Sequence, residues 1–271
     1  MLNLVSKFRR NKDIAFSFGI ITYENQDANI NKIIDSIERQ EMPSYEVLIV
    51  GSFKTSRKNT TVYSFDETKK KAWISKKKNI ITKHAVFNNI VYLHDYVMLT
   101  DGWYKGFLQF GDKFDICMNP IINTNGERFR DWVLWDLPVS GMSKKEKLLP
   151  YDLIHLSRWM YISGSYWVAK RKVMEKFPID EDLGHGEGED IVWSYQVRDH
   201  YDFTINKESK VMLLPSNGKG WRDGVKDPGF TEINEDITRK LREVQGPRRL
   251  NNCFSSGFIT AYPQLNKFLQ K

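Results

Sequence analysis

Two apolar strands flanking one amphipathic helix place the tightest limit on what this chain can fold into. "IAFSFGIIT" (Ile14 to Thr22) is rich in β-branched and aromatic residues, and Ile30, Ile33, Ile34 and Ile37 then recur at helical spacing. Asp27 stands where the helix needs an N-cap, and Pro43 breaks the chain after it. "YEVLIVG" (Tyr45 to Gly51) reads as a second buried strand. Strand, helix and strand in such close succession form a βαβ unit, which requires parallel pairing and a right-handed crossover. "TTVYSFD" (Thr60 to Asp66) and "IVYLHD" (Ile90 to Asp95) add two more strands, with a helix from about Lys70 to Phe87 between them. The expected fold class is therefore α/β, a mixed sheet with flanking helices.

Hydrogen-bonding residues gather at the ends of these strands. The first ends at Thr22, Tyr23 and Glu24, the second at Gly51 and Ser52, the third at Asp66 and the fourth at His94 and Asp95. In open α/β sheets the ligand crevice lies beyond the carboxyl ends of the strands, so the pattern marks a site. On the helix before the fourth strand, Ile74, Ile81 and Ala85 define an apolar face, and Lys78 falls in line with it. Lys76 and Lys77 are expected to project elsewhere. Lys78 has two readings that spacing does not separate: an ammonium aimed into the crevice, or a stem that packs while its head reaches water.

The second half changes character. "FDICMNPIINTNGERFRDW" reads as a strand, a turn at Asn125-Gly126 and a return leg, followed by a charged loop from Ser143 to Lys147. "WMYISGSYWVAKR" reads as strand, an interruption at Gly164-Ser165, and more strand. Six carboxylates and three glycines then crowd residues 180 to 190, just before a helix with Ile191, Val192 and Tyr195 on its packed side. Glu189 and Asp190 open that helix, where amide donors favour carboxylates as simple caps. The spacing of Gly184, Gly186 and Gly188 favours a loop that presents a carboxylate to a pocket for general-base work. Asp190 is the first candidate and Glu189 and Glu187 follow. The run matches no calcium loop.

Charge and cysteine content narrow the partners. The formal net charge is +7, with lysine triplets at Lys69 to Lys71 and Lys76 to Lys78 and a basic pair at Arg248 and Arg249. That balance suits a polyanionic partner. Cys117 and Cys253 match no metal spacing, and so few cysteines fit a reducing, cytoplasmic setting. No apolar run reaches the length of a membrane span, and "MLNLVSKFRRNK" lacks a signal-peptide core. Its Leu2, Leu4, Val5 and Phe8 among basic residues have two readings: a frayed basic terminus, or peripheral contact with an anionic membrane.

With these motifs in hand, the chain resembles the family 2 glycosyltransferases of GT-A fold. The resemblance is carried by "FSFGIITYENQDANINKIIDSIERQEMPSYEVLIVG", "KKNIITKHA", "NNIVYLHDYVML" and "GEGEDIVWSYQVRD", in that order, from Phe16 to Asp199. It implies a transferase that moves a sugar from a nucleotide-diphosphate sugar to a hydroxyl of a glycan, lipid-linked or protein acceptor, with inversion, in glycan or surface polysaccharide synthesis. It implies that Thr22, Tyr23 and Glu24 hold base and ribose, that Asp66 lies near the base, and that Lys78 and Asn79 lie beside the nucleotide. Asp95 matches an acid of the "DxD" motif that binds the diphosphate through Mn²⁺ or Mg²⁺, and Asp190 matches the catalytic base. Gly164 and Ser165 fall on the acceptor-side wall. A single domain follows, with residues 14–100 as the nucleotide-sugar half, 101–215 as the acceptor and catalytic half, and 216–271 as a C-terminal extension.

Two positions depart from the pattern. "IVGSF" lacks the aspartate usual at the second strand end, so a ribose or base contact is either lost or replaced by Ser52, and Val97 stands where a second "DxD" acid belongs. Asp101 lies too far along to substitute without a turn, which leaves three readings: Asp95 holds the metal alone, His94 or a later residue assists it, or metal dependence is weak. Three rival readings remain at this level. A basic nucleic-acid-binding protein leaves the acidic strand ends unexplained. A nucleotidyltransferase lacks its glycine-rich phosphate loop. A catalytically inactive carbohydrate-binding relative is permitted by the incomplete "DxD".

Overall fold

The computed structural model describes residues 13–134, 147–215, 231–232 and 235–243. The basic N-terminal segment, most of the charged loop after Ser143, the Arg248-Arg249 pair and Cys253 lie outside them. The first half runs β1 (Phe16–Ile21), α1 (Asp27–Glu38), β2 (Tyr45–Val50), β3 (Thr60–Tyr63), α2 (Ile74–His84), β4 (Asn89–His94), β5 (Val97–Leu99) and α3 (Trp103–Phe110). The second half adds β6 (Ile116–Met118), β7 (Ile121–Ile122), β8 (Arg128–Phe129), β9 (Val133–Leu134) and β10 (Lys147–Leu148). A 3₁₀ helix (Ile154–Trp159) leads to β11 (Met160–Tyr161), β12 (Tyr166–Lys170), α4 (Arg171–Lys176) and α5 (Glu189–Val197). β13 (Phe203–Ile205), β14 (Val211–Leu213), β15 (Thr231–Glu232) and α6 (Glu235–Glu243) complete the order.

Among the described residues, a seven-stranded sheet runs β13-β6-β12-β4-β1-β2-β3. Its β4-β1-β2-β3 portion is parallel, as the βαβ pattern requires. β12 inserts antiparallel between β4 and β6, so the second half extends the sheet the first half begins. Two smaller sheets, β5-β14-β7-β8 and β11-β9-β10-β15, flank it.

Strand residues alternate between two apolar layers. Phe16, Phe18 and Ile20 face the layer of α1 and α3, with Ile30, Ile33, Ile34, Ile37, Trp103 and Phe107. Leu48, Val50, Ile90 and Tyr92 face the layer of α2 and α5, with Ile81, Trp167 and Trp193. Each such large apolar side chain contributes about 1.5–3 kcal/mol on burial. Gly19 sets the approach of α2, because a Cβ there would overlap the Ile81 side chain. A strand buried on both faces reads as a continuous apolar run, which is why β1 and β4 stood out in the sequence.

Several boundaries differ from expectation. Asp27 is the first helical residue and Gln26 the cap, so Asp27 acts on the helix dipole instead of closing an N–H. α2 begins only at Ile74, since Ala72 adopts a left-handed φ of 55° that no helix accommodates. β3 stops at Tyr63, three residues before Asp66. The two legs around Gly164-Ser165 join different sheets, β11 one small sheet and β12 the large one. On α5, Tyr195 is half-buried, while Trp193 and Val197 take the core positions.

Candidate functional site

Parallel register alone brings the first two candidates together. Ile21 of β1 lies opposite His94 of β4, so the residues that follow, Thr22 and Asp95, leave the sheet side by side. The Thr22 hydroxyl donates to Asp95 Oδ2 at 3.1 Å and the Tyr23 N–H to the same oxygen at 3.4 Å. Thr22, His94 and Asp95 are all buried, whereas Glu24 at the next turn and Ser52 beyond β2 are exposed on the rim. Gly51 lies so close to the Thr22 carbonyl that no Cβ fits between them. His94 donates its N–H to Ser165 O at 3.0 Å, and the Ser165 hydroxyl meets that of Ser163 at 2.8 Å.

A second cluster forms where α2, the Gly164 turn and α5 meet. Lys78 is 1% exposed, so its head does not reach water as the snorkelling reading requires. Its ammonium donates to Glu189 Oε1 and to Gly164 O, each at 2.9 Å, and lies 4.8 Å from the Trp167 ring centroid. The Gly164 N–H in turn donates to Asp190 Oδ2 at 2.7 Å, and the Ile191 N–H to Oδ1 at 2.9 Å. A Cβ on Gly164 would fall 2.7 Å from Asp190 Oδ2, so only glycine lets the carboxylate sit there. Burial first, then the neighbouring charge of Glu189, raise the Asp190 carboxyl to about 7, against the opposing pull of Lys78 and the two N–H donors. A carboxylate in that range exchanges a proton readily near neutral pH. The α5 N-cap, Gly188, adopts a φ of +73°, which explains the glycine just before the acids.

Other candidates do not converge on these clusters. The Asn79 amide donates to Ile179 O at 2.8 Å and to Glu181 Oε1 at 3.2 Å, and its oxygen accepts from the Ile179 N–H, so it clamps α2 to the loop before α5. Asp66 is exposed and accepts from the Thr68 N–H and hydroxyl in a local turn. Glu187 is exposed and accepts from the Gly184 N–H at 2.5 Å within its own loop. Asp66 and Glu187 are thus used within their own loops, and Asn79 in holding two segments together.

Two crevice residues escaped the sequence reading. Lys77 is 0% exposed and donates to Thr22 O at 2.7 Å and to Glu67. It does not project away from the sheet, because Ile74, Lys77, Lys78 and Ile81 stand at i, i+3, i+4 and i+7, and the i+3 position belongs to the same helical face. Glu67, one residue past the expected Asp66, is the acid that turns inward. Val97 explains the incomplete "DxD": it is fully buried in β5, opposite Leu213 of β14, and serves the core. Among the described residues, no group of three His, Cys, Asp or Glu side chains is placed to hold a metal ion, and none of their helices is long and apolar enough to cross a membrane.

No protein-family model and no curated protein matches the sequence. The architecture does have counterparts. It is similar to S. aureus TarS 1–349, with a TM-score of 0.52 and 14% identity over 74% of this chain and 60% of that one. The same fragment in complex with UDP-GlcNAc gives 0.53 and 14%, over 84% of this chain and 64% of that one. GalNAc-T7 with UDP, GalNAc and Mn²⁺ gives 0.56 and 13%, over 74% and 44%. The fold is GT-A. The chain spans between 44% and 64% of the length of these GT-A glycosyltransferases. In this chain the GT-A sheet directs both clusters to the carboxyl edge of its parallel strands, one at the ends of β1 and β4 and the other at the start of α5.

Proposed function

We propose that this protein is a glycosyltransferase that moves a sugar from a nucleotide-diphosphate donor to an acceptor hydroxyl, with inversion, and that Asp190 is its general base. The carrying observation is the Asp190 carboxylate, fixed by the Gly164 N–H at 2.7 Å, one residue from Ser165, whose carbonyl accepts the backbone N–H of His94 beside Asp95. Asp190 removes the acceptor proton as the acceptor oxygen attacks the anomeric carbon, and the bond from that carbon to the diphosphate oxygen breaks on the opposite face. Lys78 and the Gly164 peptide keep Glu189 and Asp190 apart and oriented. Thr22 and Tyr23 form the wall against which the nucleoside lies, and Ser163 and Ser165 offer hydroxyls on the acceptor side.

Asp95 is the one acid of this edge in the "DxD" position. A single carboxylate suits a Mg²⁺ or Mn²⁺ ion that arrives with the diphosphate, whose oxygens and waters complete the shell, and does not suit an ion held by protein alone. Such an ion, when bound, neutralises charge developing on the leaving diphosphate. The complexes of the neighbours with UDP-GlcNAc and with UDP, GalNAc and Mn²⁺ support this donor class. The reading includes one GT-A domain, a cytoplasmic location, and a glycan, lipid-linked or protein acceptor.

Donor turnover on UDP-, GDP-, dTDP- and CMP-sugars tests the proposal. Asp190→Asn is expected to bind the preferred nucleotide as the wild type does and to lose turnover by about 10²–10⁴-fold. Near-normal turnover in that variant would move the base elsewhere.

A further inference from the structure

Lys77 is the charged group of the crevice that the strand-end pattern does not explain. Its side chain is fully buried, with the ammonium 4.0 Å from the Tyr23 ring centroid and 5.0 Å from that of Phe65. It donates to Thr22 O at 2.7 Å and to Glu67 Oε1. Thr22 also sends its hydroxyl to Asp95 Oδ2 at 3.1 Å. One residue thus carries the ammonium on its carbonyl and the "DxD" carboxylate on its hydroxyl. Burial lowers the Lys77 pKa, while Glu67 and Asp95 act to keep the ammonium charged. Lys78, by contrast, is committed to Glu189 and Gly164 O.

Two polar atoms beside Lys77, Glu67 Oε2 and Tyr23 OH, are buried without a hydrogen-bond partner. Native proteins leave few such atoms, and a strained, catalytic or water- or ion-binding role commonly accounts for those they leave. The acids of this edge, Glu67, Asp95, Glu189 and Asp190, would repel a diphosphate unless a cation stands among them. Val97 has replaced the second acid that would help hold a divalent ion.

We propose that Lys77 is the resident cation of the donor crevice: it balances Glu67 and Asp95 in the free protein and supplies the positive charge that lets a nucleoside diphosphate bind without a divalent ion. The identity of the anion rests on the glycosyltransferase reading. Lys77 is a positioning and binding residue in this scheme and takes no part in bond making.

Calorimetric titration of the full chain with UDP, in EDTA and in Mn²⁺, tests the proposal on wild type, Lys77→Met and Glu67→Gln. Wild type is expected to bind UDP in EDTA within about tenfold of its affinity in Mn²⁺. Lys77→Met should lose at least about tenfold in EDTA and recover most of it with Mn²⁺, which then becomes the cation. Glu67→Gln should bind more tightly in EDTA, because the same ammonium faces one acid fewer. A purely structural Lys77–Glu67 pair would instead weaken binding in both variants. Unchanged metal-free affinity in Lys77→Met, or weakening in Glu67→Gln, overturns the proposal. Wild type that binds UDP only with Mn²⁺ overturns it and leaves the glycosyltransferase reading intact. Repeated with GDP, dTDP and CDP, failure of all four nucleoside diphosphates to bind under either condition overturns both. Should Lys77→Met not fold by circular dichroism, Glu67→Gln decides alone, a gain supporting the proposal and no gain overturning it.

Discussion

Asp190 holds its place through two backbone N–H groups, from Gly164 and Ile191, while burial and Glu189 raise its pKa to about 7. The base proposed here works deprotonated, so kcat/KM is expected to rise with pH along a limb centred near 7, and Asp190→Asn should lack that limb. The linkage to stability has the opposite sense. An acid whose folded pKa lies above its unfolded value favours the folded state at low pH, and that contribution is lost as pH rises through the folded value. Thermal melting of Asp190→Asn should therefore fall less than wild type between pH 4 and pH 8, a window set by the ordinary aspartate value and the raised one. Gly164 is the companion test. Gly164→Ala places a methyl 2.7 Å from Asp190 Oδ2 and should lower kcat/KM by about 100-fold through misplacement, with nucleotide affinity little changed. Equal activity in the two proteins would show that the carboxylate position is not critical.

At the scale of elements, α2 and β5 decide which polar residues reach the crevice. α2 starts at Ile74 and not near Lys70, and the face that packs on the sheet includes the i+3 position, so Lys77 turns inward with Lys78. Asn79, on the next face, clamps the loop that leads into α5. β5 pairs with β14 and buries Val97, which removes the second "DxD" position from the site. Val97→Asp is therefore expected to cost about 3–5 kcal/mol by burying an uncompensated charge, seen in urea unfolding. The same variant should bind Mn²⁺ alone no better than wild type. Tighter Mn²⁺ binding with unchanged stability would mean that position 97 faces the crevice after all.

Across the whole molecule, the second half closes on the first through β12 and the clamp at Asn79, and the α6 helix packs on the second half. Leu241 of α6 is fully buried in the same apolar layer as Leu153 and Leu156, and its carbonyl lies 3.2 Å from His155 Nε2. Leu241→Ala should destabilise the protein by about 2–5 kcal/mol, read from the urea midpoint, whereas the exposed Arg242–Asp152 pair contributes little. The parallel βαβ core, and the placement of Asp95 just past a strand end and of Asp190 in the first turn of a helix, were legible in the residues themselves. Strand and helix periodicity are local, and a parallel sheet sends every strand end to the same edge. Which of Lys77, Lys78 and Asn79 enters the crevice, and that Glu67 turns inward while Asp66 stays in a local turn, were decided only by tertiary packing. These side chains are separated by one position in sequence, and their direction depends on where a helix starts and what it packs against. The contact that fixes Asp190 joins residues 26 apart in the chain, and only folding brings the Gly164 N–H to that carboxylate.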